Sequence, residues 1–178
     1  MQKRHHPLPA IWLMTDERLG DGLLHAIAGL PRGAGIIFRH YATPPKARRQ
    51  LFEKVRRAAR RSGHVLVLAG TPRHARGWRA AGAHGRAKGT LTAPAHNLRE
   101  VRAAERRGAK LAFVSPVFPT RSHPGAPVLG RVRFLDLVRQ ARCPVIALGG
   151  MTKARFARLK RGKIYGWAAI DGLSGKRA

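Results

Sequence analysis

Apolar residues recur along the chain in short continuous runs, and each run is followed by a segment with helical spacing. Runs such as Ile36-Ile37-Phe38 and the segment His64–Ala69 are typical of strands that are buried on both faces of a parallel sheet. Before the first of these runs, Leu23, Leu24 and Ile27 recur at the spacing of an amphipathic helix. The alternation of strand and helix predicts an α/β fold with a parallel sheet.

Eight strands are predicted, near residues 10–16, 35–41, 64–69, 83–88, 90–95, 110–118, 144–149 and 164–170. Eight is the strand number of the (β/α)8 TIM barrel, and an open doubly wound sheet is the alternative. Because the chain has 178 residues and such barrels typically take about 250, we expect a trimmed barrel with a short or absent eighth helix. The barrel should span residues 10–173, between a basic N-terminal tail (1–9) and a C-terminal tail (174–178).

The stretch 110–130 combines a strand pattern with a polar loop. Residues 110–118 are almost all apolar, and the following loop contains several prolines. Its polar residues are Thr120, Arg121, Ser122 and His123. Since ligands bind at the carboxyl ends of the strands in parallel α/β folds, this loop is a predicted binding element.

Two blocks of this sequence resemble the thiamine phosphate synthase and TenI group of (β/α)8 barrels. The first is SPVFPT at 115–120 with the RSH that follows it, and the second is PVIALGGMT at 144–152. The similarity extends from about residue 10 to 173. It implies a protein of thiamine biosynthesis or salvage that binds a phosphorylated thiazole.

The resemblance also implies a set of phosphate-binding residues at the ends of strands six, seven and eight. They are Thr120, Ser122, His123, Gly149, Gly150, Asp171 and Gly172. Glycines let the backbone approach an oxyanion closely, although Gly149 and Gly150 would also suit a simple tight turn. Asp171 stands where the family usually has Ser, and a carboxylate repels a phosphate unless it turns away. His123 replaces a Lys of the family.

Arg39 matches the arginine that meets the pyrophosphate of the pyrimidine substrate in the family, and a guanidinium can bind phosphate oxygens in a bidentate way. Arg39 is equally consistent with a surface arginine. The two family aspartates that hold magnesium align with Gly70 and Thr92, which are not acidic. We therefore assign no metal ligand and no certain cofactor, and magnesium belongs only to the synthase alternative.

His96 falls on the histidine of the TenI branch, some of whose members are thiazole tautomerases. Moving a proton within a thiazole requires only one well-placed imidazole. Metal-independent proton transfer by His96 is the first interpretation, although His96 or Asn97 would also suit a helix cap. The alternative is a synthase that joins pyrimidine pyrophosphate and thiazole phosphate. A noncatalytic barrel that binds a phosphorylated ligand is a further alternative.

Lys and Arg number 36 against 8 Asp and Glu, which gives a formal net charge of +28. The arginines recur on predicted helices, so we expect a solvated basic surface that binds nucleic acid only nonspecifically, with a dedicated nucleic-acid binder as the remaining alternative. The single cysteine, Cys143, allows no intramolecular disulfide and fits a reducing cytoplasm. No apolar run approaches the roughly 20 residues of a membrane helix, so no membrane partner is expected.

Overall fold

The computed structural model describes residues 8–122, 124–159 and 164–173. Within them, parallel strands close into a barrel in sequence order, and β1 pairs with both β2 and β8. The strands are β1 (Ile11–Met14), β2 (Gly35–Phe38), β3 (Val65–Ala69), β4 (Gly82–His84), β5 (Thr92–Ala95), β6 (Leu111–Val114), β7 (Val145–Ala147) and β8 (Gly166–Ala169). The closed eight-stranded sheet confirms the predicted barrel and excludes the open sheet.

Helices form the outer layer of the barrel. They are α1 (Gly22–Ala28), α2 (Pro45–Arg61), α3 (Pro72–Gly77), α4 (Leu98–Arg106), α5 (Gly130–Gln140) and α6 (Lys153–Leu159), with short 3-10 turns at Glu17–Leu19 and Asp171–Leu173. The helix layer is interrupted between β4 and β5, which are joined only by the loop 85–91. None of the helices in the described part of the chain is long and apolar enough to cross a membrane.

Aromatic side chains fill the barrel and its outer layer. The rings of Trp12 and Phe113 meet edge to face at 5.4 Å, and both residues are fully buried. A side chain at Gly35 would collide with the indole of Trp12, so the glycine makes room for this large core residue. In the outer layer, Phe52 of α2 packs against Phe38 of β2 with ring centroids 5.3 Å apart. This burial of apolar surface holds the strand ends, and thus the loops of the site, in place.

The observed strands are shorter than the predicted ones, and two of them end well before their predicted ends. The strand predicted at 83–88 ends at His84, because the chain turns into the loop whose carbonyls at Gly85 and Ala87 accept hydrogen bonds from the Thr90 hydroxyl. The strand predicted at 110–118 ends at Val114. Pro116 lacks the N–H that would continue the ladder, and the Ser115–Pro116 peptide bond is cis.

Candidate active site

A cavity of about 470 Å³ opens at the carboxyl ends of the barrel strands. It is lined by residues that follow β2, β5, β6, β7 and β8. The predicted site residues that line it are Arg39, His96, Thr120, Ser122, Gly149, Gly150, Asp171 and Gly172. The remaining one, His123, lies outside the described residues. Residues from distant parts of the sequence are thus brought together at one end of the barrel.

Gly149 and Gly150 form a tight turn at the end of β7. Both adopt left-handed backbone conformations, with φ of 90° and 60°. The carbonyl of Gly149 accepts a hydrogen bond from the N–H of Phe118 at 3.1 Å, which joins the turn to the β6 loop. A Cβ atom at Gly150 would collide with the carbonyl oxygen of Pro119. Both glycines line the cavity, and their backbone N–H groups donate to no acceptor within the described residues.

Arg39 is held at the cavity wall by the end of β1. Its backbone N–H donates to the Thr15 hydroxyl at 3.0 Å, and its guanidinium donates to the Asp16 carboxylate at 2.7 Å. Burial alone would raise the pKa of Asp16, but hydrogen bonds from Arg18 and the charges of Arg18 and Arg39 outweigh it and lower the pKa. Arg18 also donates to the Ser122 hydroxyl at 2.9 Å, which ties this network to the β6 loop. The Nε atom of Arg39 is buried and unpaired within the described residues.

Asp171 pairs with Arg121 across the cavity mouth. Two guanidinium nitrogens of Arg121 lie 3.2 and 3.4 Å from one carboxylate oxygen of Asp171. The negative charge that the sequence places beside the predicted phosphate site is therefore matched by a cation from the β6 loop.

His96 is oriented by two hydrogen bonds. Its Nδ1 lies 2.7 Å from the carbonyl oxygen of Ser115, and its backbone N–H donates to Glu100 at 3.1 Å. A carbonyl only accepts, so Nδ1 carries a proton, and in the tautomer without a proton on Nε2 that atom keeps a lone pair. The cap of α4 is Asn97, whose side chain accepts from the N–H of Glu100 at 2.9 Å. Of the two capping interpretations, the structure assigns the cap to Asn97.

The positions that match the family's metal aspartates lie on the β3 to β5 side of the barrel. Gly70 has no side chain, and Thr92 is fully buried with its hydroxyl 2.9 Å from Nδ1 of His84. Burial, aided by the charge of Arg39, lowers the pKa of His84 to about 4, so its ring is neutral. At the mouth, Asp16 and Asp171 already pair with arginines, and the described residues contain no cluster of three metal-ligating side chains. The donor set does not fit a conventional magnesium site.

Sequence reasoning did not assign Arg155 to the site. Its guanidinium donates to the carbonyl of Gly150 and lies 5.1 Å from the centre of the Phe118 ring. The sequence analysis also did not assign Asp16 to the site, although its carboxylate pairs with the guanidinium of Arg39. The only available signal was position: Asp16 lies two residues after the end of β1, and Arg155 lies five residues after Gly150.

Comparison with known proteins defines the class to which this barrel belongs. The sequence model of the family described as "Thiamine monophosphate synthase" matches residues 13–173. The chain belongs to this family, as its sequence motifs predicted.

Individual relatives match over less than half of their length. The "Putative thiamine-phosphate synthase 2" of Aquifex aeolicus is 36% identical over 77 residues, which cover 43% of this chain and 41% of the relative. The "Thiamine-phosphate synthase" of Pyrococcus furiosus is 30% identical over 85 residues, covering 48% and 41%. The chain thus aligns with about two fifths of these relatives.

A solved structure of a thiamine phosphate pyrophosphorylase from Pyrococcus furiosus superposes with a TM-score of 0.80 at 22% identity. The superposition covers 96% of this chain and 89% of that one. The likeness extends over nearly the whole barrel and agrees with the fold described above.

Proposed function

We propose that this protein is a transferase of the thiamine-phosphate synthase type, which joins a pyrimidine pyrophosphate to a thiazole phosphate. The names of the curated relatives favour this alternative over the tautomerase interpretation that the sequence analysis put first. The observation that carries the proposal is that one cavity is lined at two separate ends by groups that can bind an anion, a guanidinium and a glycine turn.

The two ends lie on different strands of the barrel. At the end of β2, the guanidinium of Arg39 lines the cavity and donates through one nitrogen to Asp16. At the end of β7, Gly149 and Gly150 line the cavity, and their backbone N–H groups have no acceptor within the described residues. β1 and β8 separate these ends around the barrel. A transferase with two phosphorylated substrates needs two anion sites in one cavity, whereas an isomerase with one phosphorylated substrate needs one.

In the proposed synthase reaction, one bond to the pyrimidine methylene carbon breaks and another forms. The bond between the pyrimidine methylene carbon and the pyrophosphate oxygen breaks, and the pyrophosphate leaves with the electron pair. The thiazole nitrogen donates its lone pair to the same carbon. Because the carboxylates at the mouth do not fit a magnesium site, Arg39 is the group of this chain that would stabilise the departing charge.

Arg39→Gln tests the proposal, with Arg32→Gln as the matched control. Arg32 is exposed and precedes β2 at the opposite end of the barrel, so both variants lose one positive charge. We expect thiamine phosphate formation, measured by chromatography with both substrates, to fall roughly 10²- to 10³-fold in Arg39→Gln and to stay unchanged in Arg32→Gln. No product from the unsubstituted protein, or equal rates in the two variants, would refute the proposal.

A thiazole tautomerase is the second candidate, and the hydrogen bond from His96 to Ser115 favours it. That bond leaves Nε2 of a neutral His96 able to accept a proton beside the cavity. On this reading, His96→Ala lowers the isomerisation of thiazole carboxylate phosphate by roughly 10²- to 10⁴-fold. His25→Ala, at an exposed position of α1, is the control. Isomerisation that is unaffected by His96→Ala would rule this candidate out.

A further inference from the structure

A second cleft, of about 410 Å³, lies on the flank of the barrel and contains none of the residues of the mouth. It is bordered by α4 and by the loop 85–91, at the place where the helix layer is interrupted. In a regular (β/α)8 barrel each strand is followed by a helix. The short loop between β4 and β5 therefore leaves one flank of α4 open.

The loop that borders the cleft is anchored to both ends of α4. Near the start of the helix, the guanidinium of Arg86 lies 3.0 Å from the carboxylate of Glu100. Near its end, the N–H of Gly89 donates to the carbonyl of Arg107 at 3.4 Å. The hydroxyl of Thr90 lies 3.0 Å from the carbonyl of Ala87 and closes the turn. These contacts preorganise the cleft.

Arginines dominate the charge of this cleft. The four that line it are Arg86, Arg99, Arg106 and Arg107. Glu100 is the one carboxylate in the lining and already pairs with Arg86. Arg99, Arg106 and Arg107 form no ion pair with any carboxylate in the described ranges. Three guanidinium groups are thus left without a counter-charge in a concave site.

We propose that this cleft is a second anion site, which binds a compact ligand carrying two or more phosphate groups. Guanidinium groups bind phosphate oxygens in pairs of parallel hydrogen bonds, and several uncompensated ones favour a ligand with more than one negative charge. The volume lies within the range of small-molecule sites. The small side chains of Ala103 and Ala104 in the lining leave room between the arginines. The proposal does not depend on the reaction at the barrel mouth.

Titration calorimetry with inorganic tripolyphosphate at about 0.15 M salt tests this site. The test variant is Arg106→Gln/Arg107→Gln, and the matched control is Arg60→Gln/Arg61→Gln, which removes two adjacent exposed arginines from the end of α2. We expect affinity to fall at least about tenfold in the first and less than about twofold in the second. Equal losses would show general attraction to a basic surface and would overturn the proposal.

Two further arms locate the site and define its ligand. The same comparison in an Arg39→Gln background weakens anion binding at the β2 end of the mouth, and the loss from Arg106→Gln/Arg107→Gln should persist there. Arg106→Lys/Arg107→Lys keeps both positive charges but loses the paired hydrogen bonds that a guanidinium can donate. We therefore expect its affinity for tripolyphosphate to lie between those of the unsubstituted protein and of Arg106→Gln/Arg107→Gln. Disappearance of the effect in the Arg39→Gln background would overturn the proposal. So would tight binding of a single-stranded oligonucleotide by a protein that does not bind tripolyphosphate.

Discussion

The two sides of the barrel mouth differ in the charged groups that they contain. On the side formed by β6, β7, β8, β1 and β2, carboxylates and guanidinium groups pair at the surface of the cavity, as in the contacts of Asp16 with Arg39 and of Asp171 with Arg121. On the side of β3 to β5, the matching positions are Gly70 and the buried, uncharged pair of His84 and Thr92. The charged groups are therefore concentrated on one side, while the positions compared on the other side are uncharged.

This difference concerns the two family features that the sequence analysis compared, the phosphate-binding residues and the metal-binding aspartates. A carboxylate at position 92 would replace a buried hydroxyl that is hydrogen-bonded to His84, whose ring packs against Phe113, and an unpaired charge is costly there. The barrel mouth instead has exposed and half-buried arginines, and guanidinium groups can bind anions without a metal. Each prediction below perturbs one side and leaves the other intact.

The largest effect is expected at the β7 turn. In Gly150→Ala, the new Cβ would collide with the carbonyl oxygen of Pro119, so the β6 loop must move. Binding of thiazole phosphate should fall below detection by calorimetry. Gly63→Ala is the control, because Gly63 has a similar φ of 65° but no atom within 4 Å of the added Cβ. Equal affinity in the two variants would show that the turn does not form the phosphate site.

The next effect lies on the opposite side and concerns stability. The pKa of His84 is lowered from 6.5 to about 4, so the unfolded chain takes up a proton at a higher pH than the folded one. The contribution of neutral His84 is present above pH 6.5 and is lost as the pH falls towards 4, by up to about 3 kcal/mol. Denaturant titrations between these pH values measure how the free energy of unfolding falls with pH. This fall should be smaller in His84→Gln than in the unsubstituted protein, and it should be unchanged in His25→Gln. An unchanged slope in His84→Gln would show that this histidine is not buried in its neutral form.

The smallest effect is expected at the ion pair across the mouth. Asp171→Asn removes a negative charge beside the phosphate site and releases Arg121 for the ligand. Affinity for thiazole phosphate should rise about three- to tenfold, and the gain should shrink at high salt because the pair is partly exposed. Asp136→Asn, on the exposed face of α5, is the matched control. Weaker binding in Asp171→Asn would mean that the carboxylate itself supports the ligand.

The sequence predicted the barrel because its strands are short apolar runs and its helices have a distinct period. It also predicted which residues share the mouth, since the carboxyl ends of all strands in a closed barrel point the same way. The pairings were not predictable. Arg121 and Asp171 are 50 positions apart, and which arginine meets which carboxylate depends on loop geometry. The cleft beside α4 was missed because residues 85–88 were read as strand, although their composition disfavours one.

The central claim is that one cavity holds two anions at once, and calorimetry tests it directly. Thiazole phosphate would be titrated into the protein alone and into the protein saturated with inorganic pyrophosphate. The account predicts that thiazole phosphate binds with a stoichiometry of one in both titrations, because Arg39 and the Gly149-Gly150 turn lie at different ends of the cavity. Competition, in which pyrophosphate displaces thiazole phosphate, would contradict the two-ended site and favour an isomerase with a single phosphorylated substrate.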